Sequence, residues 1–167
     1  MTVPHVPYIE RTRTYYSTLG YPAYEWARFD DVPFTKMQKP LRDARLALIT
    51  TAAPYQQGLG DQGPGAAYNA GAKFFRVYST NVSPTPDLRI SHLGYDRKHS
   101  TAEDPRSWLP VAQLQEAVAD GRLGELAEQL IGVPTNRSQR VTLEQDAEDT
   151  LKACVDLQAD IALLVPS

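Results

Sequence analysis

Residues 45–52, RLALITTA, are apolar or β-branched at every position after Arg45. A strand with one solvated face alternates apolar and polar residues; this run does not, so it reads as a strand buried on both faces, as in parallel sheets covered by helices. A second such run, IALLV at residues 161–165, follows a helical pattern over residues 142–159. There Leu143, Ala147, Leu151, Cys154 and Gln158 recur near every 3.6 residues, and Thr142 with Gln145 forms a capping-box signature. Helix followed by buried strand is the repeating unit of α/β folds. The expected architecture is α/β, with a mostly parallel, Rossmann-like doubly wound sheet flanked by helices.

The rest of the chain fits around that frame. Tyr8, Ile9, Thr12, Tyr15, Tyr16 and Leu19 are spaced as on a helix that Gly20 and Pro22 stop. An irregular strap follows, expected to pack over the core through Trp26, Phe29 and Phe34. Residues 1–35 therefore read as an N-terminal helix and strap, and residues 36–167 as an α/β domain, the N-terminal part of a longer one. FFRVYS (74–79) and LRISH (88–92) read as strands. Pro110 opens a helix carrying Val111, Leu114 and Val118 to Gly121; Leu123, Leu126, Ala127, Leu130 and Ile131 are spaced as a second helix before Gly132 and Pro134.

Composition narrows the function classes. With 17 Lys and Arg against 20 Asp and Glu, the chain has a formal charge of −3 and no basic cluster, so it lacks the footprint of a nucleic-acid binder. Its apolar runs are strand-sized, too short to span a membrane as a helix. Glu10, Arg11 and Arg13 stand where a signal peptide places its apolar segment, so the chain reads as cytoplasmic. One cysteine excludes an internal disulfide and a cysteine-rich zinc site. On an apolar helix face, Cys154 reads as a small hydrophobe.

Two motifs touch on chemistry. Gly58, Gly60 and Gly63 spell G-x-G-x-x-G, but Pro54 to Gln57 separate them from the strand and Pro64 follows, so the context of a dinucleotide loop is missing. His92, Asp96 and His99 lie at the end of a strand, where α/β folds build their sites. His92 and Asp96 can form an acid/base pair, or Asp96 can cap a turn while His92 packs under Tyr95. H-x3-D-x2-H is not a firm metal-ligand pattern, so no metal is expected. Thr50 and Thr51 end the first strand and either bind a ligand or serve as strand formers.

KPLRDARLALITTA, ISHLGYD, LPVAQLQEAVADGRLGEL and ADIALLVP together resemble the selenoprotein B family of glycine, sarcosine, betaine and D-proline reductases. The likeness covers roughly residues 34–167 and is closest to the small D-proline reductase subunit; its most telling segment is Ser91, His92, Gly94, Tyr95 and Asp96. The resemblance implies reductive carbon–nitrogen cleavage of a small amino-acid-like substrate, with a selenocysteine or cysteine, two residues and a cysteine directly after a strand like IALLV. It also implies a pyruvoyl group on a partner subunit and a dithiol or thioredoxin-type donor. The chain stops one position short of that redox motif. The expectation is that the gene continues past Ser167 and that these residues alone hold no cofactor and do not turn over. Thr50, Thr51, His92, Tyr95 and Asp96 would line the substrate site, with His92 and Asp96 as catalytic candidates. The alternative is a non-catalytic subunit that binds a small ligand or docks a partner; an incomplete sheet would favour homo-oligomers.

Overall fold

The computed structural model describes residues 7–55, 71–83, 87–92, 95, 102–135 and 138–167. The glycine-rich stretch 56–70, together with Asp96 and His99, lies outside them. The chain divides into two compact units, Met1–Thr35 and Lys36–Ser167.

In the first unit, α1 (Tyr8–Thr18) has the expected bounds and ends at Gly20, whose φ of 77° only glycine adopts without strain. Its aromatic residues pack on one another: Trp26 meets the rings of Tyr8 and Tyr24 edge-on at 5.8 and 4.9 Å. The expected burial of Trp26, Phe29 and Phe34 is not found, since all three are exposed. Trp26 joins a local cluster with Tyr8, Tyr16 and Tyr24, which leaves its ring half in water.

The second unit is mixed α/β around a mostly parallel sheet. Strand β1 (Arg45–Thr50) lies at its centre, buried from Leu46 to Thr50 as expected. Leu46 and Leu48 enter a cluster with Trp108, Leu109 and Val111, whereas Ala47 and Ile49 enter another with Ile131 and Leu157. Alternate side chains thus feed cores on opposite faces, which is why no polar residue interrupts the run. The first core is covered by α2 (Val111–Ala119) and the second by a C-terminal helix, α3, which runs Gln139–Val141, through a π-helical segment Thr142–Asp146, to Ala147–Asp156.

Two short strands lie end to end along one side of β1, both parallel to it. β5 (Glu125–Leu126) pairs with Arg45 and Leu46, and β6 (Gln129–Gly132) with Ile49 and Thr50. On the other side lies β7 (Ile161–Val165), parallel and in register with Leu46–Thr50. β3 (Tyr78–Asn81) closes the sheet antiparallel to β6, and β2 (Ala53–Pro54) forms a separate antiparallel ladder with β4 (Leu88–Arg89).

Several expectations are corrected. Residues 123–131 hold β5 and most of β6 in place of a helix, and Gly124 lets the chain pass close to the residues just before β1: a Cβ there would stand 2.7 Å from the backbone of Asp43. The strand placed at 74–79 begins at Tyr78, and that placed at 88–92 is a two-residue ladder. Ser138, not Thr142, caps α3, its hydroxyl accepting from Val141 N at 3.3 Å. The inward face of α3 is Thr142, Asp146, Thr150, Ala153 and Leu157, one residue out of phase with the expected stripe, so Leu143 and Leu151 face water. β7 forms where expected but is an edge among the described residues, with Leu163 37% and Leu164 67% exposed.

Candidate functional site

The carboxyl ends of β1 and β7 meet the first turns of α3 around a cavity of about 540 Å³. Its floor is Ile49, Thr50 and Asp146, all buried; its sides are Val133, Thr150 and Cys154; Leu151, Leu164 and Pro166 form the mouth. Open α/β sheets place ligands at this end, where side chains are carried on rigid strands.

The threonines hold the rim together. Thr51 Oγ1 donates to Ser167 O at 2.9 Å and accepts from Ser167 N at 2.8 Å, so the second residue after β7 is tied to the end of β1. Thr50 Oγ1 accepts from Ala52 N at 3.1 Å and lies 3.4 Å from Ser167 Oγ. Tyr78 reaches across the sheet to donate to Ala52 O at 2.7 Å. Burial pushes its phenol well above the ordinary range, so it stays a donor. The ring lies over Gly132, its register partner in β6, where any Cβ would overlap it.

Thr50 and Thr51 therefore belong to one crevice. Tyr95 and His92 are not among the residues that line it. Tyr95 packs half-buried on the α2-side core, and its N–H donates to His92 O at 3.2 Å. His92 is exposed, not packed beneath Tyr95, while Ser91 before it is buried. Close by in sequence, Arg89 is 1% exposed: Nη1 donates to Asp87 Oδ1 at 2.6 Å and to Leu88 O at 3.1 Å, and its guanidinium lies 5.0 Å from the Tyr55 ring centre.

Sequence reasoning missed Asp146 and Thr150, because the inward stripe of α3 was placed one residue late; the polar spacing Thr142, Asp146, Thr150 was the available signal. Thr150 Oγ1 donates to Asp146 O at 2.6 Å. Cys154 lines the wall, and burial raises its thiol pKa, which keeps it protonated at neutral pH and a poor nucleophile. Among the described residues no three His, Cys, Asp or Glu side chains gather to hold a metal, and no helix is long and apolar enough to cross a membrane. The chain matches no family model, no curated protein and no solved structure.

Proposed function

We propose that this chain is a component of a selenoprotein B-type reductase, on a Rossmann-like doubly wound scaffold, that receives a small amine substrate in the crevice at the carboxyl ends of β1 and β7. The observation that carries the reading is the reciprocal Thr51–Ser167 pair. It fixes the backbone at the end of β7, the place where the resemblance puts the redox motif, beside a cavity of small-molecule size. An easily ionised selenolate or thiol next to a resolving thiol supplies the electrons for such a cleavage. The residues of this chain do the rest: Thr50, Thr51 and Tyr78 hold the rim, and Ile49, Val133 and Leu164 exclude water. With one cysteine, protonated and set in the helix wall, the described residues do not fit the redox pair and supply none of its chemistry.

The test is the protein from its native source grown with selenium, read by intact mass and assayed for dithiol-dependent carbon–nitrogen cleavage, as amine released from glycine, sarcosine and betaine and as the ring-opened amino acid from D-proline. Selenium or a second cysteine in the product, with cleavage of any of the four, supports the reading. A product bearing neither, silent with all four, sinks it. A second reading, a non-catalytic ligand-binding or docking subunit, is favoured by the exposed Leu151, Val155 and Leu164.

A further inference from the structure

The wall of the crevice discriminates among ligands. Three of its hydroxyls are already engaged: Thr50 Oγ1 by Ala52 N, Thr51 Oγ1 by both backbone groups of Ser167, and Thr150 Oγ1 by Asp146 O. Asp146 is fully buried and offers the cavity no charged surface. What remains on the lining is mostly aliphatic carbon, with Thr142 and the sulfur of Cys154. A small zwitterion placed there would lose its hydration with no partner in return, because buried charge is costly without one. An aliphatic chain or ring would gain from leaving water.

We propose that the crevice selects a ligand by a compact apolar body seated between α3 and β7, with any charged head left at the mouth beside Leu164 and Pro166. The inference rests on the reading that this crevice is the substrate site, and it narrows the substrate class to amines with an aliphatic or cyclic body rather than glycine-like zwitterions. The volume of about 540 Å³ suits a single small molecule, since ligand sites commonly span about 300–1,000 Å³. The floor of Ile49, Thr50 and Asp146 is closed by buried atoms, so the cavity has a bottom and is more than a bare helix face.

Cys154 provides a reporter, being both in the wall and the chain's one thiol. Butyl-, pentyl- and hexylamine are titrated against the full chain while the rate of Cys154 alkylation is read by mass, with glycine and betaine as controls. The expected result is protection that tightens about threefold to fourfold per added methylene, with no protection by the controls. Leu164→Lys, a change at an exposed position that sets a second cation beside the amine's head, should weaken hexylamine at least fivefold while the circular dichroism spectrum stays unchanged. A flat series, protection by glycine, or unaltered binding by the variant would each overturn the proposal. So would protection that follows protein concentration without any amine, which would make the crevice an interface between copies. Because binding is read without turnover, the absence of reductase activity leaves this result standing, and the converse holds as well.

Discussion

Asp160 and Arg45 exchange two hydrogen bonds across the amino ends of β7 and β1: Asp160 N donates to Arg45 O, and Arg45 N donates to Asp160 Oδ2, each at 2.9 Å. With Thr51 and Ser167 at the other end, β7 is fastened to β1 by a side chain at both extremities.

Asp160 should give the fold an acid-sensitive component. The backbone bond from Arg45, and then Lys39 at 2.7 Å, hold its carboxyl below the ordinary 3.8. A folded pKa below the unfolded one means stabilisation that is fully present above about pH 4–5 and is lost as pH falls through the folded value. Urea melts from pH 7 to pH 3 should show stability falling at the acid end, with a shallower fall in Asp160→Asn. Parallel curves for the two proteins would refute the assignment.

Thr51→Val keeps the shape of the side chain and removes both bonds to Ser167. Because the site is only half-buried, global stability should drop by no more than about 1 kcal/mol. The local effect is larger: the Ser167 amide should lose its protection from hydrogen exchange while the amides of β1 keep theirs. Unchanged exchange at Ser167 would show that the clamp does not form.

Tyr78→Phe leaves Ala52 O without its phenol donor and should cost about 1–1.5 kcal/mol. Gly132→Ala should cost more, about 2–3 kcal/mol, because the new methyl must push the ring off β6. Combined, the two changes should cost less than their sum, since both break the same strut. Full additivity in thermal melts would contradict the geometry.

Gln158 ends α3 with φ 54°, and the paired bonds Gln158 N to Val155 O and Ala159 N to Cys154 O form a Schellman turn. A side chain in that left-handed conformation is strained, so Gln158→Gly should stabilise the fold by about 0.5–1 kcal/mol. A lower melting temperature in the variant would show that the glutamine makes a compensating contact.

The two apolar strands were legible because they show no alternation: RLALIT and IALLV announce themselves by content, although only the first is buried on both faces. The same property hides position, and nothing in IALLV distinguishes a central strand from an edge, which depends on what lies beside it. Leu123, Leu126, Ala127, Leu130 and Ile131 imitate a helical stripe because two short strands offset along β1 also bury residues three and four apart. That ambiguity is inherent in short apolar runs. Thr50 and Thr51 could be nominated from the strand end alone. Asp146 and Thr150 are hidden by the hydrophobic pattern: α3 turns the polar series Thr142, Asp146, Thr150 inward while Leu143 and Leu151, which carry the apolar stripe, face water.

The central place of β1 has a consequence for how the chain is made. The strand that every parallel neighbour needs is the first strand to leave the ribosome, yet Arg45 finds Glu125 80 residues later and Asp160 115 residues later. Until then LALI has no partner along either backbone edge of β1 from β5, β6 or β7, and the sheet cannot close by local steps. Contacts so distant in sequence place folding at the slow end for a chain of this size. During synthesis, the strand that ends up buried on both faces waits longer in water than any strand later laid beside it.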